Sequence, residues 1–134
     1  MRRGTVQQTH ADRVLAYLRR AARPLSAYQI LEGLKSEGLA APVTVYRALD
    51  RLLAAGRVHR LESLNAWTPC CDPKHAETPV FEICEVCGAV SEHLDARLAR
   101  DVAALADRTG FVPARSVIEI RGRCGACRTA EPVA

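Results

Sequence analysis

Apolar residues fall at helical spacing three times in the first half of the chain. Over residues 9–22, Val14, Tyr17, Leu18 and Ala21 recur at i, i+3, i+4 and i+7, one stripe of a helix that Pro24 ends. Ser26 with Gln29 three residues on is a capping-box pattern, predicting a second helix that turns Ile30, Leu31 and Leu34 inward and stops at Gly38. Pro42 suits the first turn of a third helix, whose Val45, Leu49, Leu52 and Leu53 line one face before Gly56 closes it. Past Gly56 the period drops toward two. Val58, Arg60 and Glu62 alternate with His59 and Leu61, and a second short extended segment covers residues 65–68.

Three short helices followed by a two-stranded ribbon is the order of a winged helix-turn-helix, whose third helix enters the major groove and whose ribbon lies near the backbone. Residues 69–79 read as a polar, turn-rich loop. Beyond it, strands are expected over residues 80–84 and 89–92, on either side of a tight turn. Asp95 caps a helix with Leu98, Val102 and Leu105 on one face, ending at Gly110. A last strand over residues 116–121 alternates Ile118 and Ile120 with Glu119 and Arg121. The fold class is therefore α+β.

The chemistry of the second half lies in two Cys-x-x-Cys pairs, Cys84/Cys87 and Cys124/Cys127, separated by thirty-six residues. Four thiols in two such turns are what a tetrahedral Zn²⁺ requires, and closed sulfur coordination makes the site structural. A redox Cys-x-x-Cys opens a helix in a thioredoxin-like setting, which the strand-turn-strand pattern around Cys84 does not match. With 134 residues and 49% apolar content the chain can bury a modest core. A piece of about 60 residues is marginal alone, so the second half calls for a metal or a partner subunit.

Charge adds a second pointer. Residues 1–69 carry eleven Lys/Arg against five Asp/Glu, whereas residues 70–134 carry eight against ten. The basic half suggests a polyanion partner. Thr44, Arg47 and Arg51 project from one face of the third helix beside Tyr46. There is no apolar run of membrane-spanning length and no signal-peptide pattern at the start, so the expected compartment is the cytoplasm, where six cysteines read as metal ligands rather than disulfides.

The sequence resembles the ferric uptake regulator family of bacterial metal-responsive repressors over nearly its whole length. The marks are Thr44-Val45-Tyr46-Arg47-Ala48-Leu49, Gly56-Arg57-Val58-His59-Arg60, and Ile83-Cys84-Glu85-Val86-Cys87-Gly88 with Cys124-Gly125-Ala126-Cys127. Within the family it is most similar to the zinc uptake regulator branch, through Asn65-Ala66-Trp67-Thr68-Pro69-Cys70 and Cys87-Gly88-Ala89-Val90-Ser91-Glu92. The iron- and peroxide-sensing branches carry a His-rich run before the first Cys-x-x-Cys, whereas here the loop holds a single histidine, His75. Sulfur with imidazole suits zinc; nitrogen and oxygen alone suit iron or manganese.

The resemblance implies a homodimeric zinc-responsive repressor of zinc-uptake genes, not an enzyme, with double-stranded operator DNA as partner. Its expected organisation is a winged-helix domain at residues 1–69, a hinge loop at 70–79 and a small α/β dimerisation and metal-binding domain at 80–134. Two Zn²⁺ ions per chain are expected, the structural one on Cys84, Cys87, Cys124 and Cys127, and a regulatory one on His59, Cys70, His75 and Glu92, tying both domains together. The family's pattern places its last loop histidine nearer Glu77, so either His75 or Glu77 is the third regulatory ligand. The expected DNA surface is Tyr28, Thr44, Tyr46, Arg47, Arg51, Arg57 and Arg60, with Arg47 paired to a guanine edge. Cys71 is read as a spare thiol, His93 as a solvated imidazole, and His10 as having no functional role. The rival readings are a sensor of iron, manganese, nickel or peroxide, and a thiol oxidoreductase or zinc-buffering protein.

Overall fold

A computed structural model describes residues 8–71 and 78–129. The chain divides into two compact units, Met1–Pro73 and Lys74–Ala134.

In the first unit, α1 (His10–Ala21) opens on a reciprocal cap: Asp12 N–H donates to Thr9 Oγ1 at 3.1 Å and Thr9 N–H donates to the Asp12 carboxylate at 3.0 Å. That backbone bond from Thr9 holds the Asp12 carboxyl below its ordinary pKa. The same device starts α2 (Ala27–Leu34), where Gln29 N–H meets Ser26 Oγ at 3.1 Å and Ser26 N–H meets Gln29 Oε1 at 2.9 Å. The segment expected to stay helical up to Gly38 tightens into a 3₁₀ turn, Lys35–Glu37, before Gly38 leaves it at φ 92°. Pro42 occupies the first turn of α3 (Pro42–Ala54), where its missing N–H is no loss.

These helices share one core of fourteen buried residues, centred on Val14, Leu18, Ile30, Leu34, Val45 and Leu49. Gly33 lets α2 approach α1 closely, since a Cβ there would run into the Tyr17 ring. Strands β1 (Val58–Leu61) and β2 (Ala66–Pro69) form an antiparallel ribbon whose register pairs His59 with Thr68 and Arg60 with Trp67. Asn65 takes a left-handed conformation at the ribbon's turn, φ 47°, which its short polar side chain tolerates. Leu25 then binds β2 from the other edge, exchanging backbone bonds of 3.0 and 2.8 Å with Trp67.

The second unit has a three-stranded sheet of order β4-β3-β5, from β3 (Pro79–Cys84), β4 (Val90–Leu94) and β5 (Ile118–Gly122), with α4 (Ala96–Thr109) between the last two. Strand β3 runs antiparallel to β4 and parallel to β5, so it sits in the middle and buries Val80, Phe81, Ile83 and Cys84. Pairing with β3 sets the outer strands' ends. Leu94 reaches Pro79 and Gly122 reaches Cys84, which carries both strands past the ends that alternation alone suggests.

Asp95 caps α4 by accepting from Arg97 and Leu98 N–H at 2.9 and 3.1 Å. The helix nevertheless buries none of its residues: Leu98 and Val102 are half-buried and Leu105 is exposed, as are Phe111, Val112 and Ile120. The stripe expected to face a core is there, but the described residues of this unit do not cover it. No described helix is long and apolar enough to cross a membrane.

Candidate metal centre and nucleic-acid interface

The parallel register of β3 and β5 brings the two cysteine pairs together. Cys84 ends β3 opposite Gly122, two residues before Cys124. A tight turn carries the chain from Cys84 to Gly88, whose N–H bonds the Cys84 carbonyl at 3.0 Å and whose φ is 76°. Glu85 N–H donates to the Gly122 carbonyl at 2.8 Å, and its carboxylate receives Arg121 Nε at 3.0 Å, lashing the first turn to β5. The second pair lies on a single 3₁₀ turn, Gly125–Cys127, closed by Cys127 N–H to the Cys124 carbonyl at 3.0 Å.

All four sulfurs lie within 4.8 Å of one another. Zn–S bonds of about 2.3 Å arranged tetrahedrally imply S···S edges of about 3.8 Å, and Cys87 Sγ stands 3.7 Å from Cys124 Sγ. The cluster therefore has the dimensions of a tetrathiolate site. Its electrostatics agree. Cys84 is drawn down to about 6 by the Cys87 N–H, which approaches its sulfur at 3.5 Å, and then by the Cys124 N–H. At Cys87 the Ala89 N–H lowers the pKa, but contacts with the Cys84 and Cys124 sulfurs outweigh it and leave it raised. Cys127 is pushed up to about 12, first by its contact with Cys124 and then by burial and the other sulfurs. Crowded thiols resist collective ionisation, and a divalent cation among them reverses that.

In the first unit, His59 and Cys70 are both buried. The β1–β2 register continues through Cys70 N–H to the Arg57 carbonyl at 2.9 Å, so Arg57/Cys70 and His59/Thr68 face one side of the ribbon while Arg60/Trp67 faces the other. The imidazole and thiol ligand atoms come within 4.8 Å. Glu92 lies in the second unit, half-buried on β4 opposite Phe81. His75 and Glu77 lie outside the described residues. Cys71 is exposed. His93 is exposed but does not stand free in solvent: its Nε2 contacts the Glu82 carboxylate, a neighbour that the cross-strand register supplies, and lies 3.2 Å from Ser91 Oγ, two residues back on the same strand face.

On α3, Arg47 and Arg51 are exposed and Thr44 is half-buried, and all three line an open cleft that α1 shares through Thr9, His10 and Arg13. His10 and Arg13, neither of them expected at a functional surface, thus border the basic face of α3. Their sequence signal is only a place on the polar side of α1, and helix packing is needed to aim them. Arg13 Nη1 also donates to the Glu37 carbonyl at 2.6 Å, tying α1 to the turn after α2. Tyr28 and Tyr46 are exposed, at 70% and 49%. Arg57 is half-buried at the start of the ribbon. Arg60 is engaged at home: Nη2 donates to Asn65 Oδ1 at 2.8 Å, Nη1 lies 3.4 Å from Glu62 Oε1, and Cζ sits 5.4 Å from the Trp67 ring centre.

No family model matches the chain. It is 42% identical over 107 residues to the zinc uptake regulation protein of Escherichia coli (strain K12), an alignment covering 77% of this chain and 61% of that protein. The chain thus spans about three-fifths of that curated relative's length. Among solved structures it is similar to holo XcZur, with TM-score 0.82 and 36% identity over 96% of this chain and 90% of that one. A zinc uptake regulator complexed with zinc and DNA gives TM-score 0.82 and 35% identity over 93% of this chain and 85% of that one. On this sequence identity and this shared architecture, the chain belongs to the zinc uptake regulators of the ferric uptake regulator family.

Proposed function

We propose that the chain is a homodimeric, zinc-responsive repressor that binds operator DNA and controls zinc-uptake genes. The observation that carries the reading is the wing register: a buried imidazole and a buried thiol, His59 and Cys70, share one face of a ribbon that belongs to a DNA-reading module. Sulfur beside nitrogen is a zinc-selecting pair. The relatives, a zinc uptake regulation protein and a zinc uptake regulator complexed with zinc and DNA, support the same assignment.

In this reading Cys84, Cys87, Cys124 and Cys127 hold a structural Zn²⁺ with no open coordination position. His59 and Cys70, with Glu92 and His75 or Glu77, hold a second, regulatory ion, so that two ions are bound per chain. Residues 70–79 act as the hinge between the winged-helix and dimerisation domains. A second copy covers the apolar residues the C-terminal unit leaves exposed, Leu105, Phe111, Val112 and Ile120. Two-fold pairing then presents two α3 helices to related half-sites.

Arg47 reads a base edge through its planar fork, while Thr44, Tyr28 and Tyr46 fix register and Arg51 and Arg57 meet phosphates. Arg60, bound to the wing's own turn, borders this surface. Zinc at the hinge supplies a cross-link among ligands from separate segments, and so favours the domain arrangement that DNA also favours. Linkage requires each to tighten the other by the same factor.

The test is which ion restores duplex binding to metal-stripped protein. Zn²⁺ at free concentrations near cellular levels is expected to do so. Restoration by Fe²⁺ or Mn²⁺ but not by Zn²⁺ would overturn the assignment.

A further inference from the structure

The wing's second face carries a side-chain stack centred on Trp67, a residue to which the zinc-and-DNA reading gives no role. Trp67, the chain's only tryptophan, is 5% exposed on β2. The Arg60 guanidinium lies over its ring, 5.4 Å from Cζ to the centroid. Asn65 Oδ1 holds that guanidinium at 2.8 Å, and Glu62 Oε1 lies at 3.4 Å, so the turn between β1 and β2 fixes the arginine. Tyr46 of α3 meets the same indole edge-to-face, with centroids 6.1 Å apart and planes at 75°.

Two further facts make Trp67 a fixed reference point. Its backbone N–H and C=O are both bonded to Leu25, at 2.8 and 3.0 Å, while Arg60 stands opposite it across the ribbon as a non-hydrogen-bonded pair, the closer kind for side chains. Its indole Nε1 has no hydrogen-bond partner among the described residues, so core packing and ring contacts, rather than a hydrogen bond, orient the side chain. Tyr46, by contrast, is half in solvent on a helix surface, where a tyrosine otherwise exchanges between rotamers.

We propose that Trp67, braced by Arg60 on the wing, is a positioning residue that sets the orientation of Tyr46 on the recognition helix. This rests on the reading of α3 as the DNA-facing helix. It also gives the wing a role beyond backbone contact. Trp67 and Arg60 are the immediate chain neighbours of Thr68 and His59, so the strand segments that carry His59 toward one face carry the Tyr46 brace on the other. Ordering of the ribbon is thereby transmitted to a side chain on α3.

The test is a double-mutant cycle on the full zinc-loaded protein. The probe is a duplex selected from a random-sequence pool by the wild type, with a scrambled duplex as control. Trp67→Leu is expected to weaken selected-duplex affinity about 2- to 12-fold, the range of one lost edge-to-face contact, and to leave scrambled-duplex affinity unchanged. Trp67→Phe, which keeps a ring, is expected to restore most of the loss. In the Tyr46→Ala background, Trp67→Leu should cost nothing further.

Equal losses from Trp67→Leu with and without Tyr46, or no loss at all, would overturn the proposal. If Tyr46→Ala alone leaves selected binding intact, the failure lies in the reading of Tyr46 as DNA-facing, and the proposal falls with it. A fluorescence measurement covers the case in which Trp67→Leu does not fold. Duplex addition to wild type should shift Trp67 emission, and Tyr46→Ala should abolish the shift. Emission indifferent to duplex, or a shift that survives Tyr46→Ala, contradicts the brace.

Discussion

Stripping the ion from the four-cysteine site should unfold the C-terminal unit and spare the N-terminal one. The two units differ in their cores. The N-terminal helices and wing share fourteen buried residues, whereas the buried residues described in the C-terminal unit all lie on β3, where Val80, Phe81 and Ile83 are the large apolar ones beside Pro79 and the thiol Cys84. Each such side chain contributes about 1.5–3 kcal/mol when fully buried, which together is less than the roughly 10–16 kcal/mol of a structural zinc site. Helix α4 adds no fully buried residue to offset the loss.

The assay is backbone amide hydrogen exchange on the full chain before and after treatment with a strong chelator, and again for Cys84→Ser. Amides of β3 should lose their protection, while those of α1 and α3 keep it. Protected β3 amides in a chain shown to be free of metal would contradict this, because the strand would then be held by something other than the thiolate cluster. Simultaneous loss of protection in α1 would refute it differently, by showing that the N-terminal unit does not stand on its own core.

Other outcomes follow from named contacts. Ser26→Ala removes the hydroxyl that accepts Gln29 N–H, and should cost the N-terminal unit about 1 kcal/mol in denaturant unfolding. Arg47→Ala should weaken operator binding by about 1–3 kcal/mol and relax specificity at one base pair, whereas a uniform loss over all sequences would make it a phosphate contact. Loading the cysteine cluster must displace the proton that Cys127, raised to about 12, retains at neutral pH. Its apparent zinc affinity in chelator competition should therefore fall with pH, about tenfold per unit for each proton displaced.

Local signals in the sequence are strong in the N-terminal unit. The Ser26/Gln29 box, Pro42 at a helix start and the Val45, Leu49 and Leu52 stripe depend on neighbours within one or two turns, and the structure realises each of them. What sequence leaves dark is long-range. The Glu82 partner of His93 lies across a strand pair, and Arg60 turns to Trp67 only because the ribbon register puts them opposite one another. The stripe on α4 is legible as apolar, yet its exposure is not, because periodicity says which face wants cover and not whether the same chain provides it. The thiol cluster is legible in spacing, while its geometry comes from the parallel pairing of β3 with β5. Arg13 and His10 at the edge of the basic cleft depend on how α1 packs against α3, which no spacing encodes.

Whether a second zinc at the hinge controls DNA binding is decided by operator affinity measured with the cysteine site kept filled and the regulatory site either empty or loaded. Filling the regulatory site should tighten binding about 5- to 150-fold, and Cys70→Ser should remove that gain while leaving a folded protein. Equal affinity in the two metal states of the wild type would contradict the account.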